Sequence, residues 1–254
     1  MHPGIFITGT DTGVGKTFAS ALIMRGLKQS QGSVGYWKPL QTGHPPDDDT
    51  AWVREFSGLT ASASPPPFLQ YSPPIAPSLA ARRAAEEISL ISIYEAYEKL
   101  PASAWVVEGA GGLLTPIASG ATMRELAVAL HLPILIVAST RLGTINHTRM
   151  TVEAALTHNL KIAGVVLMDH VGMSAPHAED AKSGPLRELI GEIEDHLPVR
   201  VVLTVPLLDP LDRSATDRFD RELHFRSFLD EVVCPVMRFP FSGTLTAKAP
   251  HELG

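Results

Sequence analysis

Cysteine is nearly missing from this 254-residue chain. Cys234 stands alone, so no internal disulfide braces the fold, and no zinc-ligand spacing surrounds it. The ten histidines fall in no HxH or HExxH spacing, which predicts no zinc site. A Gly-x-Ser-x-Gly elbow is also missing, so nothing points to a serine hydrolase of that type. Basic residues are outnumbered 21 to 27, a net charge of −6. That balance argues against a dedicated nucleic-acid surface, although a local basic pocket could still hold a phosphorylated ligand. Apolar runs such as Pro133–Ala138 and Ile162–Met168 are far shorter than a membrane span. Met1-His2-Pro3-Gly4 carries no basic leader, and no repeat of 20 to 50 residues recurs. The expectation is a soluble cytoplasmic protein.

What is present suffices for a core. Hydrophobic residues make up 44% and charged residues 19%, which excludes bulk disorder. The length suits one compact domain, expected over residues 1–233, with 234–254 as an extension. Short β-rich runs alternate with longer helical ones. Strands are predicted at Gly4–Thr8, Ser33–Trp37, Ala104–Glu108, Leu132–Ser139, Lys161–Met168 and Arg200–Val205. Helices are predicted near Thr17–Ser30, Asp49–Ser57, Leu90–Lys99, Met123–His131, Ile145–His158 and Gly184–Asp195. This order reads as an α/β fold, a doubly wound, mostly parallel sheet whose ligands sit at the carboxyl ends of the strands. Two regions break the rhythm. Ser62–Pro77 holds six prolines and reads as a long surface connection bordering the site. Asp217–Glu231 is helix-like and rich in charge, so it is expected on the surface.

The chemistry concentrates at strand ends. Gly9-Thr10-Asp11-Thr12-Gly13-Val14-Gly15-Lys16-Thr17 joins the first strand to the first helix. Glycines let the backbone turn its N–H groups onto a phosphate, Lys16 pairs with the terminal phosphates, and Thr17 offers a hydroxyl to Mg²⁺. Five residues rather than the usual four separate Gly9 from Gly15. Lys38 follows the second strand and is expected to project into the ligand crevice. Trp105-Val106-Val107-Glu108 places an acid at a strand end, the layout by which a carboxylate reaches Mg²⁺. The small residues Gly109, Ala110, Gly111 and Gly112 after it leave room for backbone N–H groups to meet an anion. Asp47-Asp48-Asp49 reads either as a solvated helix start or, at Asp49, as a second metal carboxylate. At Leu142–His147, Thr144 or Asn146 either caps a helix or stands at a free helix start that receives a carboxylate. Phe18 and Met24 on the first helix read as core.

Together these segments resemble the ATP-dependent dethiobiotin synthetases. The resemblance is carried by the loop with its five-residue gap, Tyr36-Trp37-Lys38-Pro39, Val107–Gly112, Leu142-Gly143 with Ile145-Asn146-His147, Ile162-Ala163-Gly164 and Pro74-Ile75-Ala76-Pro77. It spans roughly residues 4–208. It implies a P-loop ligase that joins 7,8-diaminononanoate and CO₂ at the expense of ATP, through a carbamate and a carbamic–phosphoric anhydride. Lys16 and Lys38 would be catalytic, with Mg²⁺ on Thr17, Asp49 and Glu108. ATP contacts would fall on Gly13, Val14, Gly15, Lys16, Thr17, Phe18, Asp49, Glu108, Gly109, Ala110, Gly111, Met168, Asp169, Val205, Pro206 and Leu207. Thr12, Thr42 and Gly111 would line the substrate pocket. Thr144 and Asn146 would reach the substrate carboxylate of the other subunit, making the enzyme a homodimer. Two positions depart from the family pattern. Met168-Asp169 replaces an Asn that reads adenine, and Ser78 follows Pro77 where a His is usual. The alternative class is a regulatory or partitioning P-loop ATPase, but Asp11 stands where such switches carry a signature lysine.

Overall fold

A computed structural model describes residues 2–27, 33–172, 184–208, 212–220 and 223–237. Six parallel strands form the central sheet, and each falls where the apolar runs predict it. They are β1 (Gly4–Gly9), β2 (Val34–Trp37), β5 (Ala104–Gly112), β8 (Ile134–Ser139), β9 (Ile162–Met168) and β10 (Val201–Val205), in the spatial order β10-β9-β8-β1-β5-β2. The short strands β6 (Pro116–Ala118) and β7 (Ala121–Thr122) form a separate antiparallel pair. Alternate side chains leave opposite faces. Phe6, Trp105, Val107, Ile134 and Ile136 enter one core, while Ile5, Ile7, Val106, Leu135 and Val137 enter the other. A sheet buried on both sides needs apolar residues at both parities, which explains its unbroken hydrophobic runs.

The helices cover both faces. Helix α1 (Lys16–Leu27) buries Ala19, Leu22, Ile23 and Met24 on the second face, as expected of Met24. Helix α2 (Asp49–Ser57) packs beside α1, and α3 (Pro77–Arg83) adds Ala80 and Ala81 to the first core. Helices α4 (Leu90–Glu98), α5 (Met123–Ala129), α6 (Thr144–Leu156) and α7 (Pro185–His196) supply Ile93, Leu126, Val152 and Ile193 to the first face. The predicted helix residues 28–30 lie outside the described residues.

The six-proline segment is more structured than a bare connection. Its Leu69–Tyr71 forms a short strand, β4, parallel to β3 (Leu40–Thr42). A three-residue strand fits between Pro67 and Pro73 without breaking the rule that bars proline from central strands. Pro77 then opens α3 at its first turn, where its missing N–H costs nothing.

The stretch after residue 212, which includes the charge-rich 217–231 expected on the surface, is helical as expected where it is described, but one face of it is buried, a correction to the sequence reading. It forms α8 (Arg213–Asp220), α9 (Leu223–Phe228), a π-helical turn (Leu229–Val233) and α10 (Cys234–Met237). Phe219, Phe225, Phe228, Leu229, Val233, Cys234 and Met237 are buried in the second core. Phe225, Leu229, Val233 and Met237 recur every four residues, with Phe228 and Cys234 beside them, and make one apolar helical face that charge content alone conceals. Gly26 of α1 permits the approach, because a Cβ there would lie 2.4 Å from Leu229 Cδ1. Of the expected extension 234–254, residues 234–237 belong to this packed segment, and 238–254 lie outside the described residues.

Candidate active site

The order β8-β1-β5-β2 brings three strand ends side by side, and the predicted residues follow them. Ile7 of β1 lies in register with Glu108, and Trp37 of β2 with Val107. The loop after β1 turns through Gly13 (φ 71°) and Gly15 (φ 97°) into α1. Left-handed backbone at both positions is why glycine stands there. Lys16 folds back over the loop, its Nζ donating to the Asp11 carbonyl at 3.0 Å.

Glu108 is the hub. Its side chain is fully buried, and a buried carboxylate must be paired or saturated with donors. Both hold here. Oε1 accepts from Lys38 Nζ at 2.8 Å and Thr17 Oγ1 at 3.0 Å. Oε2 accepts from Ser20 Oγ at 2.8 Å and Tyr36 hydroxyl at 3.0 Å. Lys38 also pairs with Asp49, so one ammonium bridges two carboxylates. The acidic run divides its work. Asp48 caps α2 by accepting from the Ala51 amide at 2.8 Å, Asp49 pairs with Lys38, and Asp47 borders the cleft.

The two lysines differ electrostatically. Burial lowers the Lys16 pKa to about 8; Glu108 counters that effect and Lys38 reinforces it. For Lys38 burial also pulls downward, but Glu108 and Asp49 outweigh it and hold the ammonium above its ordinary value. Burial, then Glu108, push the Tyr36 phenol well above the usual tyrosine range, keeping its hydroxyl a donor.

These groups open onto a cleft of about 900 Å³, within the size range of small-ligand sites. Thr12, Gly13, Gly15, Lys16, Thr17, Phe18, Lys38, Thr42, Asp49, Glu108, Ala110, Gly111, Met168, Asp169, Pro206 and Leu207 border it. Pro74–Pro77 does so as well, as the proline-rich connection predicts. Val14 instead packs into the second core, Gly109 backs against Phe6, and Val205 is buried with its carbonyl accepting from the Asp169 amide. Thr144 and Asn146 stand apart from the cleft at the start of α6. Neither caps it: Gly143 occupies the N-cap position in left-handed conformation without a side-chain bond. Thr144 is buried and Asn146 exposed.

Sequence reasoning missed Ser20, Tyr36, Gln41, Trp52, Thr115 and His170. The first two bond Glu108, and the other four border the cleft. A signal existed for two of them. Ser20 lies one helical turn after Thr17, and Tyr36 lies two residues before Lys38, on the same side of an extended chain.

The parallel sheet, the phosphate loop at β1 and the carboxylate at β5 define a doubly wound α/β protein of the P-loop NTPase class. A family model described as an AAA domain matches residues 3–215. An ATP-dependent dethiobiotin synthetase from Anaeromyxobacter sp. (strain K) is 43% identical over 168 residues, 65% of this chain and 75% of that one. Another, from Haloferax mediterranei, is 34% identical over 225 residues, covering 81% of this chain and 96% of that one. The chain belongs to the ATP-dependent dethiobiotin synthetases, ligases of biotin biosynthesis. Among solved structures, a ParA-family ATPase from Chlorobium tepidum TLS shares 12% identity at TM-score 0.51, over 91% of this chain and 99% of that one. The signal recognition particle receptor FtsY from Elizabethkingia anophelis also shares 12% at TM-score 0.51, over 90% of this chain and 65% of that one. Those two likenesses concern the fold alone and do not favour a partitioning switch. No helix among the described residues is long and apolar enough to cross a membrane.

Proposed function

We propose that this chain carboxylates 7,8-diaminononanoate with CO₂ and closes the product to dethiobiotin, releasing ADP and phosphate. The observation that carries this reading is the convergence of Lys16, Lys38, Asp49 and Glu108 on one cleft. One substrate amine adds to CO₂ and loses a proton, giving a carbamate. A carbamate oxygen attacks the γ-phosphorus, ADP leaves, and a carbamic–phosphoric anhydride remains. The second amine attacks the anhydride carbonyl, loses a proton and expels phosphate as the ring closes. A carbamate is a weak nucleophile, so holding it in line and neutralising phosphoryl charge are the main tasks. Lys16 and Lys38 supply two ammonium groups for that charge. Thr12, Thr42 and Gly111 border the part of the cleft assigned to the diamine.

The donor set fits Mg²⁺. Thr17, Asp49 and Glu108 offer hard oxygens, and Mg²⁺ characteristically takes one or two carboxylates and completes its shell with phosphate and water. Bound there, it would offset charge on the β- and γ-phosphates. ATP would lie along Gly13–Phe18, with its base toward Met168, Asp169, Pro206 and Leu207.

Thr144 and Asn146 lie outside this cleft, and Leu142, Ile145 and Met150 around them are exposed. In this reading a second copy covers that apolar face, and each copy lends its α6 start to the other's substrate carboxylate. Dilution to monomer should then remove turnover while ATP binding persists; an active monomer in sedimentation would overturn the shared site. A cytoplasmic location belongs to the same reading. The reaction is tested by incubating the chain with ATP, Mg²⁺, bicarbonate and diaminononanoate. Dethiobiotin should appear by mass, and its absence while ATP is hydrolysed would refute the assignment.

A further inference from the structure

The four bonds to Glu108 are divided between its oxygens, and the division has a chemical meaning. Oε1 meets Thr17 and Lys38, both of which border the cleft. Oε2 meets Ser20 and Tyr36, which are fully buried and lie behind it, one on α1 and one on β2. A free carboxylate turns readily about its terminal torsion, which has broad wells. It also offers about four acceptor sites over two equivalent oxygens. Two hydroxyl donors on one oxygen remove that equivalence.

We propose that Ser20 and Tyr36 are positioning residues that lock Glu108 so that only Oε1 faces the metal and the phosphates. The proposal rests on the reading of Glu108 as a Mg²⁺ ligand. Neither hydroxyl touches substrate. Each holds a ligand's unused oxygen, the kind of outer contact whose loss typically costs about 10–100-fold in metal affinity or activity. The sequence places them well for the task. Ser20 is carried by the same helix as Thr17, and Tyr36 by the strand that Lys38 directly follows, so anchor and presenting group lie on one continuous piece of chain in each case.

The test is the metal dependence of nucleotide binding in Tyr36→Phe and Ser20→Ala, which retain most of the packing. A non-hydrolysable ATP analogue is titrated calorimetrically into each full-length variant, in Mg²⁺ and in EDTA. Affinity in EDTA should match the unsubstituted chain, showing that the loop is intact. The tightening produced by Mg²⁺ should shrink about tenfold in each variant and further in the double variant. A role in packing alone would move both titrations equally or neither. Mg²⁺ tightening within twofold of the unsubstituted chain in both single variants overturns this proposal alone. A lack of any Mg²⁺ effect in the unsubstituted chain overturns it together with the metal reading of Glu108, whereas dethiobiotin formation is scored separately by mass.

Discussion

The two ends of the cleft are built on opposite principles. Around Glu108 every polar contact is specific, with a buried carboxylate saturated by four donors and an ammonium shared with Asp49. Around Met168 the lining is largely apolar, with Pro206, Leu207 and Leu208 beside it. Asp169 is the acid there, but its Oδ1 already accepts from Thr140 Oγ1 at 3.0 Å and the Val171 amide at 3.1 Å. The ends meet at Gly15, where a Cβ would lie 3.1 Å from Met168 Cγ. Fixed charges suit a reaction that develops charge on phosphoryl oxygens. An adaptable thioether suits a contact that needs only bulk and shape.

The largest expected effect lies at the charged end. Lys16→Ala and Lys38→Ala should each lower turnover by about 10²–10³-fold, the usual cost of losing one preorganised donor to developing charge. They should differ in stability. Lys38→Ala leaves the buried Glu108 without its 2.8 Å ammonium partner, a loss of about 3 kcal/mol by analogy with broken buried pairs. Burial already disfavours the charged form of Lys16, so its removal should leave the melting temperature unchanged or raised. Thermal unfolding of both variants separates the two cases, and equal melting temperatures would show that the lysines are electrostatically alike.

A smaller effect is expected at the apolar end. Base discrimination needs a polar group that the wrong base leaves unpaired, and a thioether is a poor hydrogen-bond partner. GTP or CTP should therefore support turnover within roughly tenfold of ATP, about 1.4 kcal/mol. Competition among the four triphosphates measures this, and a preference for ATP of about a hundredfold would place base reading on other groups.

The subtlest effect is protonic. With a pKa of about 8, Lys16 is half charged at pH 8 in the free chain. Triphosphate brings negative charge beside it and raises that pKa, so binding at pH 8 should take up roughly half a proton. Calorimetry in buffers of different ionisation enthalpy reads the uptake directly. Proton release would contradict the assignment of Lys16 to the phosphates.

Much of this was legible from sequence where the determinants are local. Apolar runs marked all six strands of the main sheet, and the loop was marked by glycines that its left-handed backbone dictates and by Lys16 and Thr17, which phosphate chemistry dictates. Glu108 was legible as an acid ending an apolar strand. For Ser20 and Tyr36 the spacing from Thr17 and Lys38 was legible, but their bonds to Glu108 were not, since those depend on how α1 and β2 meet β5. The packed helices after residue 212 were misread for a different reason. Their charges dominate the composition, whereas Phe225, Phe228, Leu229 and Val233 carry the helical period that buries them. The short β3–β4 pair escaped notice because three residues between prolines carry too little pattern.

In the proposed function the charged end of this cleft couples ATP cleavage to ring closure of a diamine. The most direct measurement is the stoichiometry of ADP to dethiobiotin, followed as diaminononanoate is raised at fixed ATP, Mg²⁺ and bicarbonate. One ADP should form per dethiobiotin, and almost no ADP without the diamine. ADP formed at an undiminished rate in the absence of diamine would contradict that coupling.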